Sequence, residues 1–202
     1  MRIKGKDGYC VKLLNLLASS MLAGVCISIG GLVFLKNPGI TGAVLFSFGL
    51  LTVVHFKFLL YTGTAGFCYS VKDLGRLCLI LAGNVIGCFL VAQAFRLCVS
   101  PDLAAAVIQN RLSASFLQAL ILGTGCGFIM TAAVKFAREG KFLPLLFGVP
   151  CFIMCGFYHS IADAFYYCMD LHPEAITPWL GAVLGNFIGC NLYRLRQEDI
   201  NT

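Results

Sequence analysis

Six long apolar runs divide the chain, and each is close to the ~20 residues that a helix needs to cross the hydrocarbon core of a bilayer. Only 12% of the residues are charged, about half the share in an ordinary soluble domain, so most of the outer surface must face lipid. The pattern predicts an all-α membrane protein with six transmembrane helices. Their approximate bounds are 11–35, 41–61, 77–98, 114–137, 142–158 and 176–194.

The second and fifth runs differ from the others because polar or glycine-containing segments interrupt them. These segments cover about 61–66 and 158–163, and more apolar residues follow each one, as far as Val71 and Met169. The pattern indicates two helices that break at mid-depth in the membrane and then resume. Such a break frees backbone N–H and C=O groups, which are tolerated only inside protein or beside a water-filled cavity.

The cations are distributed unevenly between the two sides of the predicted membrane. Six spans put both chain ends on one side, with eleven lysines and arginines against three on the other. The positive-inside rule then places both termini in the cytoplasm and the protein in the inner (plasma) membrane. The net charge of +6 is a topology signal and requires no nucleic-acid partner. The eleven are Arg2, Lys4, Lys6, Lys12, Lys72, Arg76, Lys135, Arg138, Lys141, Arg194 and Arg196, and the three are Lys36, Arg96 and Arg111.

A short motif occurs twice, as GNVIGC at 83–88 and as GNFIGC at 185–190, 102 residues apart. Thr62 and Ser160, in the two interrupted segments, are 98 residues apart. The chain is therefore predicted to contain two halves of three spans, and an odd number of spans inverts the second half relative to the first. Inverted repeats with broken helices are typical of transporters whose substrate site lies at the repeat interface. The repeats cover about 11–98 and 114–195 of a single transmembrane domain, residues 1–202.

Each repeat motif carries two glycines four residues apart, which let neighbouring helix backbones approach closely, and one asparagine. Asn84 and Asn186 are amides within apolar helices, where an unpaired amide costs a few kcal/mol. We expect both side chains to bond backbone groups freed at the helix breaks. A position lining the pore is the alternative.

His159 lies in the second interrupted segment, and an ionisable residue at membrane depth usually serves a function. A half-helix that resumes after a break directs its positive N-terminal end into the cavity, which favours an anion. The sequence thus predicts an anion path at the breaks. The imidazole of His159 can donate a hydrogen bond to the anion or exchange a proton with it near neutral pH.

Several motifs carry a family resemblance. GFYHSIADAF at 156–165 is similar to a signature G-F-E-H-S-I-A-N-x-F, and LYTGT at 60–64 resembles a loop L-F-T-G/S-T/N after the second helix. The two G-N-x-x-G strings, and the AG and IGG strings at 23–31, resemble motifs of the third, sixth and first helices. All are motifs of the formate/nitrite transporter family. The resemblance covers about 15–195, in the same order.

The resemblance implies an aquaporin-like bundle of six helices, assembled in the lipid bilayer as a homopentamer with one pore per subunit. Members pass formate, nitrite, hydrosulfide, lactate or related weak-acid anions, some as channels and some as proton-coupled carriers. By position, His159 matches the central pore histidine and Thr62 matches the threonine that faces it. We also expect Tyr61, beside Thr62, and the charged residues Lys57 and Asp163 to border the pore. The other matches are constriction residues Phe46 and Phe152 on one side, Leu50 and Leu60 on the other, and Arg111 near the outer vestibule.

The sequence departs from the family pattern at several positions. Tyr158 replaces a glutamate, Asp163 an asparagine and Gly127 another asparagine, while His55 and Lys57 have no counterpart. An ion pair between Lys57 and Asp163 is one hypothesis, because a lone charge within a span is costly. The alternative is that Lys57 extends its ammonium group to the membrane interface.

Three other functions compete with an anion pore. A neutral-solute pore is disfavoured because paired N-P-A motifs are absent from the sequence, and a non-transporting relative is disfavoured by the presence of His159 and Thr62. A membrane enzyme or redox protein would need ligands for a cofactor. The 11 cysteines form no C-x-x-C pair and the three histidines no paired spacing, so we expect neither cofactor nor metal.

Overall fold

This computed structural model describes residues 6–199 of the chain, which contain nine α-helices. Four are long, four form two broken helices of two segments each, and one is a short connecting helix. The long helices are apolar enough to cross a membrane alone. With the two broken helices they give six crossings, which confirms the predicted fold class. The helices are α1 (Lys6–Lys36), α2 (Ile40–His55), α3 (Tyr61–Thr64), α4 (Val71–Arg96), α5 (Ala105–Leu112), α6 (Phe116–Arg138), α7 (Leu143–Met154), α8 (Ser160–Met169) and α9 (Ile176–Asn191), with short 3-10 helices at Ala65–Phe67, Pro101–Ala104, Pro173–Ala175 and Leu192–Asp199.

The breaks begin earlier in the chain than the sequence predicts. They cover 56–60, between α2 and α3, and 155–159, between α7 and α8. The predicted position of the first break, 61–66, was wrong, and that of the second, 158–163, was right only for 158 and 159, which include His159. The polar residues beyond these breaks mark the start of the resumed helix. α4 likewise begins at Val71 rather than near residue 77, since the Ser70 hydroxyl caps it by accepting the Asp73 N–H at 3.3 Å.

Both breaks use the same backbone turn. After α2, the Phe58 N–H donates to the Val53 carbonyl at 2.9 Å, and after α7 the Phe157 N–H donates to the Phe152 carbonyl at 2.9 Å. Each bond closes a turn of six residues and defines a Schellman cap, in which the next-to-last residue adopts the left-handed conformation that glycine favours. That residue is Gly156 in the second break, with φ 69°, and Lys57 in the first, with φ 56°. A side chain in this conformation costs about 1 kcal/mol.

The asparagine of each repeat motif joins a break to its neighbours. Asn84 Oδ1 accepts the Tyr61 N–H at 2.8 Å, and its Nδ2 donates to the carbonyls of Leu59 and Ser20 at 2.8 and 2.7 Å. Asn186 makes the equivalent three bonds, with Ser160 N–H at 2.9 Å and the carbonyls of Tyr158 and Gly123 at 2.8 and 2.9 Å. Two partners of each amide are backbone groups freed at a break, as the sequence leads us to expect, and the third is a carbonyl inside a long helix, Ser20 of α1 or Gly123 of α6.

Glycines let the long helices of each repeat touch through their backbones. α1 packs on α4, and α6 packs on α9. A Cβ added to Gly87 of α4 would overlap the backbone of Met21 on α1, and one added to Gly189 of α9 would overlap that of Thr124 on α6. A Cβ at Gly75, near the start of α4, would meet nothing within 4 Å.

Gly87→Ala should therefore destabilise the bundle, by about 1–3 kcal/mol, because two backbones would have to separate. Gly75→Ala, in the same helix, is the matched control and should leave stability unchanged or raise it, since alanine favours a helix by up to ~1 kcal/mol over glycine. The fraction of detergent-solubilised protein that stays monodisperse after heating measures both. Equal midpoints for the two variants would contradict close packing at Gly87.

The connections define two sides of the bundle. We call the side with the start of α1 and the turn at 139–142 the terminal side, and the side with the loops at 97–104 and 170–175 the distal side. Arg2 and Lys4 of the predicted cation-rich side lie outside the described residues, as do the side chains of Lys6 and Arg196.

Candidate functional site

The two broken helices meet at a contact between Thr62 and His159. Thr62 is the second residue of α3, and His159 is the N-cap residue of α8. Thr62 Oγ1 lies 3.0 Å from His159 Nε2, and both residues are almost fully buried. The starts of two half-helices, one from each repeat, are thereby joined by a side-chain hydrogen bond.

The helix cap fixes the neutral tautomer of His159. Its Nδ1 accepts the Ala162 N–H at 3.1 Å, so Nδ1 carries no proton while this bond is made. The neutral imidazole then holds its proton on Nε2, which donates to Thr62 Oγ1. The Thr62 hydroxyl keeps its own proton to donate to a further acceptor. The contact therefore presents a donor at the start of a helix, where the backbone dipole also favours negative charge.

Apolar side chains lie on both sides of this contact. Phe46 and Phe152 pack edge to face with ring centroids 6.3 Å apart, and the Phe152 ring stacks on His159 at 5.6 Å. Leu50 and Leu60 are each 1% exposed and lie on the opposite side. The structure thus brings the four predicted constriction residues to the two sides of the Thr62–His159 contact.

Two cavities approach the contact from opposite sides of the bundle. The distal vestibule, of about 270 Å³, is bordered by the two phenylalanines and His159 itself. The terminal-side vestibule, of about 620 Å³, is bordered by the two leucines. Polar residues of the distal vestibule include Asn110, Arg111, Asp163 and Tyr166, and those of the terminal-side vestibule include His55, Lys57, Thr64 and Arg138.

Arg111 is the partner of Asp163, so the hypothesis of a Lys57–Asp163 ion pair was wrong. Arg111 Nε donates to Asp163 Oδ1 at 3.0 Å, and the guanidinium lies 3.9 Å above the ring of Tyr158. Lys57 lies in the other vestibule, on the far side of His159. The sequence misled because α5, which carries Arg111 to the second break, was not predicted. Two of the departures from the family pattern, Tyr158 and Asp163, thus contact one arginine.

Tyr61 does not border either vestibule. Its side chain is buried, and its hydroxyl donates to the Val183 carbonyl on α9 at 3.1 Å. Tyr61 therefore anchors α3 to the second repeat. It does not line the pore, contrary to what its place beside Thr62 had led us to expect.

Three further residues hold the half-helices, and none was predicted to do so, although Cys88 and Cys190 each end one copy of the repeated motif. Arg138, at the end of α6, donates from a terminal guanidinium nitrogen to the Gly63 carbonyl of α3 at 2.8 Å. The thiol of Cys190 lies 3.4 Å from the Thr62 carbonyl, and that of Cys88 lies 3.4 Å from the Ile161 carbonyl. The two repeat cysteines thus each contact the half-helix of the opposite repeat.

No three His, Cys, Asp or Glu side chains come together as ligands for a metal ion within the described part of the chain. The site consists instead of a buried hydrogen-bonded pair, two apolar constrictions and two vestibules. With six membrane crossings in inverted repeats, this arrangement defines an integral membrane protein of the aquaporin-like class.

Comparison with known proteins shows the family of this chain. A family model described as "Formate/nitrite transporter" matches residues 2–193, so the chain belongs to the formate/nitrite transporter family. It is 29% identical to the "Uncharacterized transporter YrhG" of Bacillus subtilis (strain 168), over 87% of this chain and 79% of the relative. The predicted family is thereby confirmed.

Two solved structures share the fold. A "Pentameric formate channel with formate bound" superposes with a TM-score of 0.81 and 20% identity, covering 96% of this chain and 98% of that one. An "FNT family ion channel" superposes with a TM-score of 0.77 and 19% identity, covering 94% of this chain and 90% of that one.

Proposed function

We propose that this protein is a transmembrane pore for small monovalent weak-acid anions, of the class of formate, nitrite and hydrosulfide. The observation that carries the proposal is the buried Thr62–His159 contact, where His159 Nε2 donates to the Thr62 hydroxyl and that hydroxyl keeps its own proton to donate at the meeting point of two half-helices. Donors of this kind stabilise an anion that has lost its water. A solved protein of the same fold is a formate channel with formate bound.

The apolar constrictions favour passage in a neutral form. A bare anion in an apolar ring costs tens of kcal/mol by the idealised Born estimate, whereas a small neutral acid costs far less. We infer that the anion is drawn toward the contact and takes up a proton from bulk solution, either along water or from an imidazolium that forms when His159 Nδ1 releases the Ala162 N–H and binds that proton. The anion then crosses the rings as the acid, and His159 returns to its neutral form. The competing route is a movement of the α3 segment that opens a hydrated path.

We extend the proposal to assembly and orientation. The pentameric state of the formate channel that shares this fold supports a homopentamer with one pore in each subunit. The excess of cations on the terminal side supports an orientation with both termini in the cytoplasm and placement in the inner (plasma) membrane. The whole chain, 1–202, would form one transmembrane domain.

Uptake into liposomes that contain the purified protein tests the function. Formate, nitrite and hydrosulfide are supplied at two pH values, and at least one should enter faster than into empty liposomes. Faster entry at the lower pH supports passage with a proton, and pH-independent entry supports the hydrated path. If none enters, or if only a neutral solute such as glycerol does, the anion-pore proposal is wrong.

Thr62→Val should slow uptake by about 2- to 10-fold, because it removes the hydroxyl while keeping the side-chain shape, and a hydrogen bond of this kind contributes ~0.5–1.5 kcal/mol. Thr52→Val is the matched control: the Thr52 hydroxyl bonds the Phe48 carbonyl of its own helix at 2.9 Å and borders neither vestibule. Equal rates for the two variants would exclude the Thr62 hydroxyl from the path.

A further inference from the structure

The two vestibules differ in charge. In the distal vestibule the positive charge of Arg111 is paired with Asp163, whose side chain is only 1% exposed. An anion that enters there meets a neutral pair rather than a cation. The arginine at this mouth is therefore poorly placed to concentrate anions, because the field of a close ion pair falls off much faster than that of a single charge.

The terminal-side vestibule is bordered by positive charge. Lys57 and Arg138 border it together with His55, and no carboxylate borders it among the residues that the structure describes. The nearest acidic side chains in sequence have other partners. Glu139 lies 3.3 Å from the ammonium of Lys141, and Asp73 bonds the backbone and hydroxyl at the start of α4.

Lys57 occupies a position that its backbone conformation does not favour. It takes the left-handed place in the first Schellman cap, with φ 56°, where the equivalent residue of the second repeat is Gly156, with φ 69°. Glycine would be the better residue for the turn. What the lysine adds is a cation at the edge of the terminal-side vestibule, on the same side of the Thr62–His159 contact as Arg138.

Arg138 contacts the chain segment at the centre of the pore. One terminal guanidinium nitrogen donates to the carbonyl of Gly63, the residue after Thr62, and the guanidinium lies 4.4 Å above the Phe67 ring. A guanidinium has five N–H donors, so this bond leaves capacity for an anion. An anion bound to Arg138 would lie beside the segment that carries Thr62.

We propose that Lys57 and Arg138 form an anion-binding subsite in the terminal-side vestibule, that the neutralised distal vestibule has no equivalent, and that anions therefore load more readily from the terminal side. This inference rests on the proposed pore function and adds to it a subsite and a preferred side of entry. Fixed charges of one sign in a cavity with low-dielectric walls raise the local concentration of the opposite ion.

Initial rates of formate entry from each side test the asymmetry. The full-length protein is reconstituted in liposomes and sorted by orientation, and KM is measured for formate supplied on the terminal or the distal side. We expect a KM several-fold lower from the terminal side, and a difference that shrinks as salt screens the vestibule. Equal KM values from both sides at low salt would overturn the proposal.

Three substitutions assign the effect to charge. Lys57→Gly, which suits the turn, and Lys57→Met, which keeps a long side chain, should each raise the terminal-side KM about 3- to 10-fold and leave the distal-side KM unchanged. Asp163→Asn should lower only the distal-side KM, because it leaves the Arg111 charge unpaired. As the control, Lys141→Gln removes a terminal-side cation that borders neither vestibule and should change nothing.

The outcomes separate this inference from the proposed function. Formate entry with no difference between sides, or with both KM values shifted equally by Lys57→Gly, contradicts the subsite and leaves the pore intact. Disagreement between Lys57→Gly and Lys57→Met also contradicts the subsite, since the effect would then come from the backbone turn. Absence of formate, nitrite and hydrosulfide entry from either side contradicts the pore itself.

Discussion

Replacement of His159 by asparagine should reduce anion uptake at least about tenfold while the protein stays folded. Asparagine is a good N-cap residue and can accept the Ala162 N–H that His159 Nδ1 accepts at 3.1 Å. Its shorter side chain does not extend to Thr62, so the donor at the centre of the path is lost. A preorganised donor in a water-excluded site contributes about 2.7–4 kcal/mol in enzymes, so a tenfold loss is a modest expectation.

His159→Ala separates the two roles of the imidazole. It loses the cap as well as the donor, so it should be less stable than His159→Asn by ~1 kcal/mol and equally slow in uptake. Rates per folded protein, determined after size-exclusion chromatography, make this comparison.

His172 supplies a matched control. It lies in the loop after α8, with its ring nitrogens 3.1 Å from Asp170 and 3.3 Å from Glu174, away from both vestibules. His172→Asn should transport at the unmutated rate. Transport by His159→Asn at that same rate would show that the anion path does not pass the Thr62–His159 contact.

Replacement of Asn186 by leucine should cause the largest loss of stability. It leaves the Ser160 N–H and the carbonyls of Tyr158 and Gly123 without the amide that bonds all three. Each unsatisfied buried group costs about 1–3 kcal/mol, so a loss of several kcal/mol is expected. Asn84→Leu should behave alike, because Asn84 makes the same set of bonds in the first repeat.

Thermal unfolding in detergent measures these losses. Asn37→Ala is the control, since Asn37 is exposed, follows the end of α1, and its amide makes one bond of 3.3 Å, to the Val33 carbonyl of that helix. We expect both leucine variants to lose the monodisperse state well below the temperature at which Asn37→Ala does. Three similar midpoints would mean that water replaces the amides, and the breaks would then be hydrated rather than sealed by the asparagines.

Hydrophobic patterning predicted the crossings well because lipid requires a span to be mostly apolar along its whole length. The predicted bounds of the first and fourth helices, 11–35 and 114–137, lie within a few residues of α1 and α6. The breaks were harder to place. Gly156 marks one turn, but the equivalent turn holds Lys57, which carries no signal of a left-handed conformation.

The same contrast applies to the site. Motif similarity identified His159 and Thr62, and the structure joins them at 3.0 Å. Motif similarity did not identify Arg138, whose charge was interpreted as a topology signal. It also did not identify Arg111 as the partner of Asp163. Both contacts join residues far apart in sequence, 52 residues for Arg111 and Asp163 and 75 for Arg138 and Gly63. Such pairs depend on how α5 and α6 pack on the broken helices, and no local sequence pattern predicts that packing.

The sequence by itself determined the membrane class, the six crossings, the inverted repeat and the family, because each follows from hydropathy or from short motifs along one helix. Only the tertiary structure decided that Arg111 neutralises Asp163, that Lys57 and Arg138 border the same vestibule, and that the His159 proton resides on Nε2. Those features depend on distances between side chains of different helices and on hydrogen-bond geometry at the breaks. Charge and protonation at the site are set by neighbours in space, which the linear order of residues does not specify.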